Sequence, residues 1–332
     1  MENVKKILGR VGIFFGSTLG IVLVAFLMML FLMMKGPSTQ IRNLLVASLK
    51  ESSAGGILVD IFFSQEEVEA ILAENSMIPT GGIVVEFEDE DVQAGDTEVD
   101  EEQPDIEIVD VFGPLYKGRM MIVKDPSRVV VGTCDRFDPS ARGLTLLEIV
   151  EKYGAVGGVN GGRFTDSMGF GKGGCPVGIV CSQGKLVFGD LNATYEVYGF
   201  DKNNKFVIGK MTGQEAIDRG IRDAVTFGPA LVVNGKAVAG GSGLNPRTAI
   251  GQRADGSVLL LVIEGRQTNS LGATYSDLVN IMLEFGAVNA ANLDGGMSSS
   301  MVYDGKEIST NDSNSGVRDI PTAFIIMPKE ED

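Results

Sequence analysis

The sequence predicts an α+β fold: a strand-rich single domain with a mixed sheet and a few covering helices, behind an N-terminal transmembrane helix and an acidic stalk. Three observations predict it. Only two segments, starting at Thr145 and Thr274, read as a helix leading into a buried strand, too few for a doubly wound parallel sheet. Hairpin signals lie between them. The run from Val11 to Met34 carries no charge and is long enough to cross a bilayer.

Residues 1–10, with Lys5, Lys6 and Arg10, read as a cytoplasmic tail. Residues 11–34 read as a signal anchor, because the bulky Phe31 to Met34 leaves no small-residue cleavage site. This places the rest of the chain outside the cytoplasm, on a single-pass cell-membrane protein. A buried core helix is the alternative. Residues 35–105 read as a stalk. Ser64-Gln65-Glu66-Glu67 opens an amphipathic segment through Val68, Ile71 and Leu72. Glu86 to Asp110 is dense in acids without Lys or Arg, which describes a solvated, self-repelling linker. It has no EF-hand spacing.

Residues 106–328 form the predicted domain. Arg119 to Lys124 and Arg128 to Cys134 are β-rich runs joined by the turn Asp125-Pro126-Ser127. Thr145 with Glu148 is a capping box for a helix to Tyr153, which Gly154 ends. Gly169 to Gly174 is a glycine-heavy loop that fits no Walker or dinucleotide spacing. Pro176 to Val180 with Lys185 to Phe188, and Glu196 to Phe200 with Lys205 to Ile208, read as hairpins, followed by a short helix from Thr212 to Arg219. Ala224 to Lys236 reads as strand, Gly-Pro break and strand. Val258 to Ile263 is a fully apolar strand ending in Glu264-Gly265-Arg266. Thr274 with Asp277 caps a second helix to Phe285, which Gly286 ends.

The two helix units repeat each other. Gly154 to Gly162 aligns with Gly286 to Asp294, and Asn160 falls on Asn292. Each strand ends in a polar, glycine-rich tip, and two such tips can form the walls of one site. The second tip runs Asn292-Leu293-Asp294-Gly295-Gly296-Met297-Ser298-Ser299. By itself Asp-Gly-Gly is a tight turn with an exposed acid. Its glycines also free backbone N–H groups which, with the serines, suit an anion such as phosphate. Arg247 and Arg266 read either as surface salt-bridge partners or as phosphate clamps.

Composition removes several classes. A net charge of −16 leaves no basic stripe for nucleic acid. Histidine is absent, which rules out Ser-His-Asp and Cys-His catalysis. Cys134, Cys175 and Cys181 show no metal spacing; Cys175 and Cys181 either pair or stay as free thiols.

Five motifs occur in order: Asn160-Gly161-Gly162-Arg163-Phe164, Phe227-Gly228-Pro229-Ala230-Leu231, Arg247-Thr248-Ala249-Ile250-Gly251, Glu264-Gly265-Arg266 and the Asn292 to Ser299 tip. From about Ile106 to Met327 the chain resembles the phosphodiester glycosidase family. Two positions depart from its pattern: Glu264 stands where the family has Asp, and Met297 where it has a third glycine. The resemblance implies a hydrolase that cleaves a sugar-1-phosphodiester in cell-envelope or exopolysaccharide glycans, bacterial members being associated with exopolysaccharide. It implies Asp294, Glu264, Arg266 and Arg247 as catalytic residues, with Asp294 the nucleophile or base and Glu264 second. Asn160, Gly161, Gly162, Arg163, Asn292, Gly295, Gly296, Ser298 and Ser299 are the implied substrate-binding residues. Such a reaction needs no histidine, because a phosphate monoester leaves readily. No cofactor is expected. A divalent cation such as Ca²⁺, held by Asp294, stays open as an alternative. Two other functions remain: a metal-dependent phosphodiesterase built on Asp294, Glu264 and Asp166, and a non-catalytic module binding anionic glycans.

Overall fold

The computed structural model describes residues 2–50, 55–74, 104–166, 171–241, 243–309 and 317–329. Most of the acidic run and the start of the glycine-heavy loop lie outside them. α1 (Glu2–Lys35) contains the uncharged run. α2 (Thr39–Lys50), α3 (Gly55–Phe62) and α4 (Gln65–Glu74) fold onto its last turns, where Met34, Val46, Val59, Phe63, Val68 and Ile71 share a small core. Ser64 and Glu67 cap α4 reciprocally, at 3.2 and 2.8 Å.

Next come β1 (Ile106–Phe112), β2 (Lys117–Val123), β3 (Val129–Thr133), α5 (Leu146–Tyr153) and β4 (Gly157–Asn160). The hairpins follow as β5 (Val180–Ser182) with β6 (Lys185–Phe188), and β7 (Thr194–Asp201) with β8 (Phe206–Thr212). α6 (Gly213–Asp218), β9 (Ile221–Val225), β10 (Ala230–Val233), β11 (Lys236–Ala237), β12 (Arg247–Arg253) and β13 (Val258–Ile263) lead to α7 (Tyr275–Glu284) and β14 (Ala287–Leu293). The chain closes with β15 (Met301–Tyr303), β16 (Lys306–Glu307) and β17 (Thr322–Ile326).

Three sheets result, ordered β1-β2-β13-β12-β14-β10-β11, β16-β15-β4-β17-β3 and β6-β5-β9-β7-β8. The α+β class holds, but the mixed sheet does not. Every strand pairing among the described residues is antiparallel. The helix–strand units suggest parallel neighbours, which need a crossover between adjacent strands. Here α5 and α7 deliver strands into slots whose neighbours run the other way. The turn at Asp125 also separates strands that never pair: β2 joins the first sheet and β3 the second.

Side-chain alternation explains the layering. On β13, Val258, Leu260 and Val262 enter the central core, while Leu259, Leu261 and Ile263 pack beneath α7 with Leu278, Ile281 and Met282. On β17, Phe324 and Ile326 face the same centre, while Ala323 and Ile325 meet Leu146, Ile149 and Val150 of α5. The third sheet places Tyr198, Phe200 and Phe206 inward and Val197 and Met211 outward against Ala216 of α6. Each sheet thus carries one helix on its back, and the three inner faces share one core. α5 and α7 start with the capping boxes read from sequence, Thr145 with Glu148 and Thr274 with Asp277. All three cysteines are free.

Candidate active site

The repeated tips meet. The Asp294 amide donates to Gly161 O at 3.1 Å, and Asn160 Nδ2 donates to Asp294 O at 2.6 Å. Asn160 Oδ1 accepts from Thr248 Oγ1 at 2.7 Å and from the Ser300 amide at 3.1 Å. The side chain is fully buried, so its hydrogen-bonding capacity is spent inside the protein.

After β14 the chain turns through Gly295 and Gly296, the latter at φ 63°, into a 3-10 turn over Gly296–Ser298. That turn presents Asp294 to a cavity of about 380 Å³ lined by Arg163, Phe164, Asp166, Phe227, Arg266, Asp294, Gly295, Met297, Ser298 and Arg318. Burial pushes the Asp294 carboxyl up to about 6. Hydrogen bonds from Ser298 and from the Gly295 amide (3.0 Å), and the charge of Arg318, pull the other way; Asp166 adds a small upward push.

The cationic wall comes from three elements. Arg163 follows β4 and lies over the Phe227 ring at 5.7 Å. Arg266 follows β13 at φ 58° and donates to Asn245 Oδ1 at 3.2 Å. Arg318 precedes β17, pairs with Asp166 at 2.7 Å and lies 5.4 Å over the Phe164 ring. Three guanidinium groups against two carboxyls make this cavity locally positive in a chain of net charge −16. Phe164, Phe227 and Met297 add apolar surface to the wall.

Of the residues selected from sequence, Asp294, Arg266, Arg163, Gly295 and Ser298 line the cavity. Others lie behind it. Arg247 is buried, donates to Gly243 O at 2.8 Å and Ala273 O at 3.2 Å, and stacks 4.3 Å over Tyr275. Its charge still reaches Arg266, whose pKa is lowered by burial first and by Arg247 second. Glu264 is buried, lies outside the cavity lining and pairs with the partly exposed Lys117 at 2.9 Å. Gly265 separates Glu264 from Arg266, which takes a left-handed backbone. Asn292 is buried and donates to Gly228 O at 3.0 Å.

The backbone donors read from sequence are also committed. The Gly161 amide donates to Thr322 O at 3.0 Å, Gly162 to Thr322 Oγ1 at 3.1 Å and Gly296 to Pro246 O at 2.9 Å. Ser299 is fully buried. These glycines serve close packing instead. A Cβ on Gly162 would lie 2.7 Å from Val225, and one on Gly161 would lie 2.7 Å from Thr322. Sequence reasoning missed Arg318, an isolated cation outside every motif. The Arg318–Asp166 pair is visible only once the chain is folded.

Two carboxyls, Asp294 and Asp166, line the cavity, and among the described residues no three His, Cys, Asp or Glu side chains form a metal cluster. The donor trio of the metal-dependent alternative is not brought together, because Glu264 is held by Lys117.

Comparison with known proteins bears on the family and the fold. The phosphodiester glycosidase family model matches residues 153–327. The SPbeta prophage-derived uncharacterized protein YomE of Bacillus subtilis (strain 168) is 35% identical over 124 residues, which are 35% of this chain and 19% of that protein. The match therefore spans about a fifth of that relative. The fold is similar to the zebrafish N-acetylglucosamine-1-phosphodiester alpha-N-acetylglucosaminidase catalytic domain auto-inhibited by its pro-peptide. The TM-score is 0.57 at 20% identity, over 69% of this chain and 85% of that one. A putative exported protein from Burkholderia pseudomallei K96243 gives a TM-score of 0.46 at 18% identity, over 64% and 74% of the two chains, too remote to carry an argument. With its strand tips, its three-sheet core and a family match over more than half of its length, the chain belongs to the phosphodiester glycosidase family.

Proposed function

We propose that this protein is a membrane-anchored glycosidase that hydrolyses the bond between a sugar C1 and a phosphodiester oxygen, in glycans of the cell envelope or exopolysaccharide. One observation carries the reading: a half-buried carboxyl faces three guanidinium groups across a small cavity of an otherwise acidic protein. A phosphodiester is an anion, and cleavage at C1 adds charge to the departing phosphate. Arg163, Arg266 and Arg318 neutralise that charge, and arginine forks suit phosphate oxygens. Phe164, Phe227 and Met297 offer an apolar wall to the sugar ring.

Asp294 supplies the remaining step. Its carboxylate either attacks C1 or removes a proton from the attacking water; the water oxygen ends on C1 and the phosphate monoester leaves. With its pKa at about 6, the group is largely ionised at neutral pH and basic enough for either task. No resident cofactor is needed for these steps. Arg247, Asn160 and the two tip glycines of the first unit hold the site's frame.

Anchoring rests on Arg10–Lys35, a helix apolar and long enough to cross a membrane and almost wholly unburied against the rest of the protein. With the basic tail inside, the domain faces the envelope glycans.

The test is to incubate the purified chain with a sugar-1-phosphodiester in isotopically labelled water. Release of free sugar with label at C1, lost in Asp294→Asn, is the expected result. Label in the phosphate would instead mean P–O cleavage. Ligand binding without turnover in the wild type would leave only a glycan-binding module.

A further inference from the structure

The membrane-proximal helices are not merely a spacer. Ser48 on α2 touches the domain beside the cavity: its Oγ accepts from the Leu244 amide at 2.9 Å and donates to Leu44 O at 2.6 Å. Gly243 packs so closely that a Cβ there would lie 2.2 Å from the Ser48 backbone N and Cα. The two residues after Leu244 reach two walls of the cavity, through Arg266 and through the Asp294 turn. Asn245, itself buried, accepts from Arg266 Nη2 at 3.2 Å. Pro246 O accepts from the Gly296 amide at 2.9 Å, in the turn that presents Asp294. Gly243 O also holds Arg247, at 2.8 Å.

We infer that α2 belongs to the catalytic unit: Ser48 is a positioning residue that fixes Leu244-Asn245-Pro246, and through them both Arg266 and the Asp294 turn. The inference rests on the phosphodiester reading for its kinetic consequence, but the mechanical coupling stands apart from it. Ser48 lies outside the family match at residues 153–327, whereas its partners Gly243 and Leu244 lie within it, so the contact joins the membrane-proximal segment to the matched domain. A consequence follows for regulation. Whatever pulls α2 from the domain, including a change at the membrane surface, loosens the grip on phosphate.

The test uses the full chain in detergent micelles. Ser48→Ala removes one hydrogen-bond acceptor, and Gly243→Ala forces α2 away. The exposed Ile41→Ala on α2 is the control. Amide hydrogen exchange is read without substrate, and KM and kcat on a sugar-1-phosphodiester separately. Ser48→Ala is expected to speed exchange at both the Leu244 and Gly296 amides and to raise KM about fivefold with little change in kcat. Faster exchange at Leu244 with Gly296 unaltered overturns the coupling, as does an unchanged KM. If the wild type shows no turnover while both amides respond, the coupling survives and the catalytic reading falls.

Discussion

Two units of this protein begin alike and finish differently. α5–β4 and α7–β14 share a threonine capping box, an amphipathic helix and a buried strand with Asn at the equivalent place. At the first tip, Asn160 is a fully buried strut whose three hydrogen bonds tie Asp294, Thr248 and Ser300 together. At the second, the chain runs past Asn292 to Asp294, which faces the cavity. One copy braces and the other presents a carboxyl to the cavity. The glycines share close packing: a Cβ on Gly161 or Gly162 would lie 2.7 Å from Thr322 or Val225 and one on Gly295 2.8 Å from Pro246 O, whereas Gly296 is left freer, its nearest neighbour being Arg266 at 3.4 Å.

Substitutions at the paired positions separate bracing from chemistry. Asp294→Asn is expected to lower kcat by about a thousandfold, since it removes the only proposed nucleophile or base; steady-state assays on a sugar-1-phosphodiester measure it. Asn160→Ala acts on stability instead. It orphans buried partners and is expected to cost about 3 kcal/mol in urea unfolding. A thermally stable Asn160→Ala protein with ordinary KM would show that the first tip is no brace.

Arg318→Ala tests whether the residue outside both tips shares the work. We expect KM to rise about tenfold or more, with a smaller rise for Arg163→Ala because that side chain is exposed. An unchanged KM in Arg318→Ala would confine Arg318 to its ion pair with Asp166.

The pH behaviour of the second tip has a definite sign. Protonation of Asp294 removes the base, so kcat/KM should rise about tenfold per unit up to pH ~6 and level above it. Stability runs the opposite way. The folded pKa of about 6 exceeds the ordinary 3.8, so the protonated acid favours the folded state. That contribution is complete below pH ~4 and is lost as pH rises through 6. Asp294→Asn should therefore melt higher than wild type at pH 7 and match it at pH 4, by calorimetry. The smallest effect belongs to the caps: Thr145→Ala and Thr274→Ala should each cost about 1 kcal/mol.

Local chemistry made the helices legible. Capping threonines, acids three residues on and terminal glycines are signals within one turn of chain, and both boxes formed as read. β13 was legible as a wholly apolar run because both of its faces are covered. Strand direction was not, because it depends on which distant segments become neighbours. The site divided along the same line. Motifs located the Asp294 turn and Arg266, but not whether a polar side chain points into the cavity or into the protein. Asn292, Arg247 and Glu264 have inward partners supplied by Gly228, by Gly243 and Ala273, and by Lys117. Arg318 carried no local pattern, since its meaning comes from Asp166 and Phe164, far away in sequence.

The enclosure of Asp294 also answers the missing histidine. Crowding by protein moves a carboxyl's proton equilibrium into the range where imidazole ordinarily works. The chain thereby obtains a group that exchanges protons near neutrality from one of its forty-four acids. Under the proposed mechanism, mild acidification switches the reaction off reversibly through this one carboxyl.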